Sequence, residues 1–370
     1  MNIIPNSNRG RLVAVALLFL ALVAGACGSD NNASSGSSGD TTTMAPSAKV
    51  ECAAGSISGA GSTFAQTIVQ QWIKDFYAAC PSATVNYQGV GSGAGIQQFT
   101  AGTVDFAGSD VAMKPEEEAA AVAKNGPVLH IPWTAGGIAV EYNLKGVTDL
   151  KLTAEAIAGI FAGKITKWDD TAIKSANSGV TLPSTAIQVV HRSDGSGTTA
   201  AFTAFLAATD ATDWTFGSGK EVPWPVGQGA KGSDGVTAAV KQTDGAIGYA
   251  EVSFAKGAAL GIAKVKNASG AFVGPDAKAV SAALESAEVP TDLKVKINYK
   301  PAGAAAYPIS TTSFVIVPKT PTDAAKAKLL KAFVAYAVGT GQNVAPGIEY
   351  APLPTALQKQ AVTAAQSIGA

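Results

Sequence analysis

The hydrophobic positions after residue 50 follow two periods that alternate along the chain. In one kind of segment they recur about every 3.6 residues, as at Ile68, Val69, Trp72 and Phe76, and this spacing places them on one face of a helix. In the other kind they form short runs rich in β-branched residues, which are typical of strands. The first pattern predicts helices at 63–79, 115–124, 153–162, 198–208, 234–242 and 322–338. The second predicts strands at 86–90, 104–107, 187–190 and 246–250.

This alternation of strands and helices predicts an α/β protein with mostly parallel sheets. The roughly 320 residues that follow the amino-terminal region are too many for one ordinary core, so they predict two domains. An apparent nucleotide-binding loop at 159–166 is one residue too short, and Ile165 stands where such a loop needs a hydroxyl residue. We therefore predict that it is the end of a helix.

Residues 1–27 have the pattern of an export signal. Arg9 and Arg11 come before an apolar stretch at 12–23 that is too short to span a bilayer. Small residues then precede Cys27, and this junction resembles the site at which bacterial lipoproteins are cleaved and lipidated. The prediction is a lipoprotein signal peptide with Cys27 lipidated. The alternative is plain secretion, in which Cys27 is removed.

The next segment, 28–50, is rich in Ser, Gly, Asn and Thr and has too little apolar surface to fold, so it predicts a flexible linker. Beyond it the chain has one pair of cysteines, Cys52 and Cys80. Cys52 should precede the first strand and Cys80 should follow the first helix, and a strand-turn-helix unit brings those two ends together. A disulfide is the prediction for an exported chain. Two buried free thiols are the alternative.

The charged and nucleophilic residues exclude several classes of function. Lys and Arg number 27 and so do Asp and Glu, so the formal net charge is zero and argues against general affinity for nucleic acids. The two histidines, His130 and His191, belong to no Cys/His cluster and to no Ser-His-Asp arrangement. His191 alternates with Arg192 along a predicted strand and should therefore point to the opposite face. We predict no metal site, no cofactor and no catalytic residue.

The strongest candidate for chemistry is the stretch 192–199, RSDGSGTT, between a predicted strand and a predicted helix. Such a turn directs the free N–H groups of the first helical turn, and the positive end of the helix dipole, at whatever lies above it. Ser196 and Thr198 add hydroxyl donors, Arg192 adds a forked cation, and Asp194 can hold that cation in place. The stretch predicts a site for a small oxyanion. An ordinary Gly-rich turn with a surface Arg is the alternative.

Other turns of similar composition favour the anion site. Residues 59–64 (GAGSTF) and 86–95 (NYQGVGSGAG) also stand at strand-to-helix junctions, and 104–110 (VDFAGSD) follows the same style. A further Gly-rich turn, 227–235, could bind an anion, but we interpret it as a packed loop near the site.

Taken together, these motifs resemble those of the phosphate-specific substrate-binding proteins of ABC importers. The segments that carry the resemblance occur in the family's order over roughly 56–356: GAGSTF, NYQGVGSGAG, VDFAGSD, GGIAVEYN, KITKWDD, RSDGSGT, GQGAKGSDGV and GAIGYAE. The resemblance implies a two-domain, periplasmic-binding-protein-like α/β fold with the ligand in the interdomain cleft. With crossings at 131–137 and 307–312, the implied domains are 51–137 plus 308–370, and 138–307.

The resemblance also implies the ligand and the residues that bind it. The ligand is inorganic phosphate, captured outside the cytoplasmic membrane and delivered to the transmembrane permease subunits of an ABC transporter. The implied protein is an exported, lipid-anchored monomer with no nucleic-acid partner. The implied phosphate contacts are Thr63, Phe64, Ser92, Asp110, Arg192, Ser196, Gly197 and Thr198, with Phe64 and Gly197 acting through their backbone N–H groups. Asp194 corresponds to the residue that braces the arginine, and Gly93-Ala94 departs from the family, which often has a second Ser there.

Two other functions are alternatives to phosphate capture. A hydrolase of phosphate esters could use the same turns, but the sequence offers it neither metal ligands nor an activated nucleophile. Asp110 argues against the second alternative, a receptor for sulfate or molybdate. A carboxylate repels a fully ionised dianion but accepts a hydrogen bond from a protonated phosphate oxygen.

Overall fold

The computed structural model of the protein describes residues 50–370. The predicted signal peptide, Cys27 and the predicted linker up to residue 49 lie outside the described residues. Within 50–370, no helix combines the length and the apolar character that crossing a bilayer requires.

The described chain alternates between strands and helices. The strands are β1 Gly55–Gly61, β2 Ala83–Gly89, β3 Phe106–Ser109, β4 Val128–Asn143, β5 Lys151–Leu152, β6 Gln188–Arg192, β7 Gln228–Ala230, β8 Ala246–Glu251, β9 Gly261–Ile262, β10 Lys264–Lys266, β11 Phe272–Val273 and β12 Ser310–Pro318. The helices are α1 Gln66–Ala79, α2 Ser92–Ala101, α3 Pro115–Asn125, α4 Ala154–Phe161, α5 Thr171–Lys174, α6 Gly197–Thr209, α7 Gly232–Gln242, α8 Val252–Gly257, α9 Ala277–Leu284, α10 Ala324–Val338 and α11 Thr355–Gln366, with a 3-10 helix at Thr340–Ile348.

Nine of the strands form one sheet in the order β2-β1-β3-β12-β4-β8-β6-β7, with β9 also paired to β4. At one end, β1 is parallel to β2 and β3, and at the other end β6 is parallel to β7 and β8. Between these ends, β12 is antiparallel to β3 and β4, and β4 is antiparallel to β8. The predicted α/β class is confirmed, but the prediction of mostly parallel sheets is wrong because the sheet is mixed. A continuous apolar run is typical of parallel strands buried on both faces, but β4 and β12 are buried in the same way although they pair antiparallel.

Strand β4 links the two parallel ends of the sheet. Its residues 128–137 pair with β12, and its residues 138–143 pair with β8. The segment 131–137, predicted as a crossing, lies inside β4, and the second predicted crossing, 307–312, runs into β12. The boundaries of the two domains stay a prediction.

Helix α1 shows how the apolar spacing becomes packing. Its buried residues are Ile68, Val69, Trp72 and Phe76, the face that the sequence predicts. The Trp72 indole N–H donates a hydrogen bond of 2.7 Å to the Gly341 carbonyl, so the polar end of this buried ring is satisfied. Truncating such a side chain costs about 3–5 kcal/mol, since it removes buried area and leaves a cavity.

The predicted disulfide between Cys52 and Cys80 is confirmed, with a Cα–Cα distance of 5.5 Å. Cys52 precedes β1 and Cys80 follows α1, so the strand-turn-helix return brings them together as expected. A bridge across 28 residues stabilises the fold by about 3 kcal/mol, mainly by restricting the unfolded chain. The alternative of two free thiols is wrong.

Most predicted helices lie within three residues of their observed bounds, and the stretch 159–166 holds the end of α4, as expected. Several helices have no counterpart in the prediction, namely α2, α5, α8, α9 and α11. Helix α2, for example, begins at Ser92 with Gly93, Ala94 and Gly95, a composition that favours turns over helices.

Candidate anion-binding site

Each predicted ligand residue lies just after the carboxyl end of a strand or in the first turn of the helix that follows, except Arg192, which ends its strand. Thr63 and Phe64 follow β1, Ser92 follows β2 and Asp110 follows β3. Arg192 is the last residue of β6, and Ser196, Gly197 and Thr198 form the start of α6. Because β1, β2 and β3 are parallel, their carboxyl ends lie at one edge and the turns after them converge, as at the ligand sites of open α/β sheets. Strand β6 is not part of that parallel set, and its turn meets theirs through the close approach of Gly197 to Ser92 and Asp110.

Asp110 is a buried carboxylate held by hydroxyl groups. Ser62 and Ser313 donate to its Oδ1 at 2.5 and 2.9 Å, and Thr198 donates to its Oδ2 at 3.3 Å. Burial raises the pKa of Asp110, and the bonds from Ser62 and Ser313 and the charge of Arg192 offset part of that rise. A carboxylate oxygen accepts about two hydrogen bonds. Oδ1 is therefore saturated, whereas Oδ2 keeps capacity for one more donor.

Arg192 and Asp194 form a forked ion pair. The Arg192 Nε and Nη2 atoms donate to the two Asp194 oxygens at 2.7 and 2.5 Å, and Gly232 N–H adds a bond of 3.0 Å to Asp194 Oδ1. Burial opposes ionisation of Asp194, but the bonds and charge of Arg192 win and hold its pKa below the usual range. A guanidinium has five N–H donors, so three remain for a ligand.

Helix α6 brings its amino terminus against Asp110. Ser196 caps the helix by accepting a bond of 3.0 Å from Thr199 N–H. A Cβ atom on Gly197 would lie 2.5 Å from Ser92 Oγ and 2.8 Å from Asp110 N, so only glycine allows this approach. The first N–H groups of a helix have no intrahelical acceptor. Those of Gly197 and Thr198 are therefore suited to an anion.

The turn after β1 meets a second helix start. Thr63 Oγ1 lies 3.0 Å from Ser233 Oγ and accepts a bond of 3.2 Å from Ser233 N–H. The Phe64 side chain is buried, and its carbonyl accepts a bond of 2.5 Å from Tyr350 OH. Ser92 Oγ accepts a bond of 3.3 Å from Asp110 N–H. The predicted residues from Thr63 to Thr198, with Asp194, thus form one connected cluster.

A family model described as a PBP superfamily domain matches residues 46–340. The phosphate-binding protein PstS of Xylella fastidiosa is 38% identical over 352 residues, which are 94% of this chain and 94% of that protein. The chain belongs to the PstS family of phosphate-binding proteins. The phosphate-binding protein PstS 3 of Mycobacterium tuberculosis is another relative, 38% identical over 356 residues that cover 94% of this chain and 95% of the other.

Solved structures give the same fold for this PstS family member. PfluDING, a high-affinity periplasmic phosphate-binding protein bound with phosphate, is 26% identical with a TM-score of 0.69, covering 82% of this chain and 92% of that one. A human phosphate binding apolipoprotein is 25% identical with a TM-score of 0.65 and the same coverage. The predicted fold class, a two-domain periplasmic-binding-protein-like α/β fold, is confirmed.

Three serines of this cluster were missed as individual residues by the sequence reasoning. Ser62 lies inside the GAGSTF motif, next to the predicted Thr63, and a donor for Asp110 could have been sought there. Ser233 lies in the Gly-rich turn 227–235, whose pattern did indicate an anion site or a loop near one. Ser313 lies in the middle of β12, more than 200 residues from Asp110. No local pattern connects Ser313 with the site.

Proposed function

We propose that this protein binds inorganic phosphate outside the cytoplasmic membrane and delivers it to the permease of an ABC importer. The observation that carries the proposal is the bonding of Asp110. Its Oδ1 is filled by Ser62 and Ser313, and its Oδ2 receives only the long bond from Thr198. An oxygen with that remaining capacity suits an anion that brings its own proton.

Phosphate at neutral pH carries such a proton, and sulfate does not. A protonated phosphate oxygen donates to Asp110 Oδ2, whereas a sulfate oxygen places two acceptors face to face with no hydrogen between them. Leaving two buried acceptors opposed costs the desolvation of both groups, on the order of 1–3 kcal/mol each. This difference favours phosphate over sulfate or molybdate.

The remaining contacts follow from the donors around Asp110. The proposed ligands are Thr63, Phe64, Ser92, Asp110, Arg192, Ser196, Gly197 and Thr198, and Asp194 supports Arg192. The hydroxyls of Thr63, Ser92 and Ser196 donate to phosphate oxygens, as do the N–H groups of Phe64 and Gly197. The Thr198 hydroxyl has one proton, so it exchanges its long bond to Asp110 for a bond to phosphate. A charge-assisted hydrogen bond contributes about 1.5–3 kcal/mol, and a micromolar site needs only about 8 kcal/mol net.

The proposal places the ligand between two domains, 51–137 plus 308–370 and 138–307. The two lengths of β4, which pair with different partners at residue 137, support this division. Thr63, Ser92 and Asp110 then belong to one domain and residues 192–198 to the other. Binding draws the two domains together, since phosphate needs donors from both.

The proposed setting is the outer face of the membrane, with a lipid on Cys27 and the segment 28–50 as a tether. The disulfide supports an oxidising compartment. We propose a monomeric binding protein rather than an enzyme, because Asp194 is explained by positioning Arg192 and Asp110 by discriminating between anions. Mass spectrometry of the membrane fraction tests the lipid: wild type should carry an acyl mass that a Cys27→Ala variant lacks.

Calorimetric titration with phosphate, sulfate and a phosphate monoester tests the function. We expect phosphate to bind with at least micromolar affinity and sulfate at least about a hundredfold more weakly, from the cost of opposed acceptors. The monoester should fail to bind, because the contacts surround the whole anion. Equal binding of sulfate, or tighter binding of the ester, would overturn the assignment.

A further inference from the structure

Several ion pairs among the described residues contain a lysine. In the pair of Lys220 with Glu117, the lysine is the least exposed of these. The side chains are 11% and 25% exposed. Lys220 Nζ contacts both carboxylate oxygens, the Oε2 atom at 2.6 Å. Glu117 lies in the first turn of α3, and Lys220 lies in the loop that follows α6.

Both partners are fixed by bonds of their own. Glu117 Oε2 also accepts a bond of 2.9 Å from Lys114 N–H, in the capping box that begins α3. The loop before Lys220 is anchored to α6 by a bond of 3.2 Å from Gly219 N–H to Thr203 Oγ1. The Glu117 side chain and the backbone beside Lys220 are thus held in place, and the pair is largely shielded from water, so more of its attraction is retained than in an exposed pair.

The pair also connects directly to the anion-binding cluster on both sides. The Lys220 carbonyl accepts a bond of 2.9 Å from Ser196 N–H, the cap of α6. On the other side, Lys114 follows Asp110 by four residues, and its N–H is held by Glu117. The ion pair thus ties the segment of Asp110 to the segment of Ser196.

We propose that Glu117 and Lys220 form a latch that holds the closed protein around its anion and slows its release. The latch rests on the proposed function, in which two domains close around phosphate. Glu117 lies in one of those predicted domains and Lys220 lies in the other. Opening separates the pair and rehydrates both charges, and closing forms it again. The latch acts after the anion has entered, so it changes the release rate and leaves the association rate nearly unchanged.

The test measures release of radiolabelled phosphate into excess unlabelled phosphate. Lys220→Gln and Glu117→Gln should each release phosphate about fivefold faster than wild type, with association rates within about twofold. The double variant should be no faster than either single one. Lys326→Gln is the control: it breaks the Lys326–Asp105 pair, whose residues lie in one predicted domain, and should release phosphate at the wild-type rate.

Unfolding experiments without phosphate distinguish a latch from an ion pair that only stabilises the fold. A latch forms in the closed state, so the Lys220→Gln variant should unfold like wild type in phosphate-free buffer and lose stability only when phosphate is present. An equal loss of stability with and without phosphate would overturn the latch. If the wild-type protein binds phosphate, a Lys220→Gln variant that releases it at the wild-type rate would also overturn the latch. Failure of wild type itself to bind phosphate would overturn the proposed function as well.

Discussion

The two sides of the anion-binding cluster solve different problems with the same residue type. On the side of β1, β2 and β3, Asp110 is surrounded by hydroxyl donors, and burial raises its pKa. On the side of β6 and β7, Asp194 meets a guanidinium, which holds its pKa below the usual range against the opposing effect of burial. One carboxylate has an oxygen that only a long hydroxyl bond reaches, and the other has both oxygens bound by the same guanidinium.

Under the proposed function, the attraction of the anion and its selection come from different sides of the cluster. The β6 side carries the cation and the helix dipole, which attract any small anion. The β1 side adds the uncharged donors of Thr63, Phe64 and Ser92, and under the proposed function its one carboxylate rejects anions that lack a proton. Substitutions on the two sides should therefore change different quantities.

Arg192→Ala should produce the largest effect. We expect phosphate binding to weaken by at least about 2 kcal/mol, or about thirtyfold, because the anion then faces Asp110 and Asp194 without a buried cation. Arg192→Lys should also be impaired, since an ammonium cannot form the fork. Calorimetry measures the dissociation constant, with the exposed Lys174→Ala as control. An unchanged constant for Arg192→Ala would place the site elsewhere.

Asp194→Asn should lower the free energy of unfolding by about 2 kcal/mol at pH 7, because it leaves the buried Arg192 without its counter-charge. The pH dependence has a definite sign. The folded-state pKa of Asp194 is lowered, so its contribution is complete above the unfolded value and disappears as the pH falls through the folded value. Denaturation of both proteins should show this difference in the free energy of unfolding at pH 7 and its loss under strongly acidic conditions. If the difference persists in acid, ionisation of Asp194 is not its cause.

Asp110→Asn should change which anion binds rather than how tightly phosphate binds. The amide replaces an acceptor with a donor and removes a negative charge, so sulfate affinity should rise at least about tenfold while phosphate affinity stays within about tenfold. Competition of sulfate against labelled phosphate is the measurement. Asp194→Asn is the matched control and should keep the wild-type rejection of sulfate. The same rejection by Asp110→Asn would remove the chemical basis of the phosphate assignment.

Ser233→Ala should have the smallest effect, about 0.7 kcal/mol or threefold in phosphate affinity. It removes the hydroxyl that lies beside Thr63 Oγ1 but keeps the N–H bond to the same atom. Titration beside Ser175→Ala, an exposed serine, measures it. A loss larger than tenfold would make Ser233 a direct ligand.

The sequence predicts the parts of this molecule that local chemistry determines. Arg192 and Thr198 stand within one short stretch between a strand and a helix, and the other turns of similar composition favour an anion site over an ordinary turn. The disulfide follows from the positions of Cys52 and Cys80 around one strand-turn-helix unit. The apolar face of α1 follows from its spacing.

The rest depends on contacts between distant segments. Ser313 reaches Asp110 because β12 lies beside β3, an antiparallel pairing that no spacing in the sequence records. The capacity of Asp110 Oδ2 depends on Ser62 and Ser313 both choosing Oδ1, which is a result of packing. The mixed sheet escapes prediction for the same reason, since the directions of β4 and β12 are set by the strands with which they pair.

The loop that holds Lys220 gives the protein an optical signal of its own. Trp224, four residues further on, stacks on the ring of His191 at 4.9 Å and on that of Tyr249 at 5.8 Å. The Tyr249 hydroxyl in turn accepts a hydrogen bond of 3.2 Å from the backbone N–H of Arg192. These contacts connect the indole to Arg192, so under the proposed function its emission should change when the anion binds there. The protein is accordingly a starting point for a label-free fluorescent sensor.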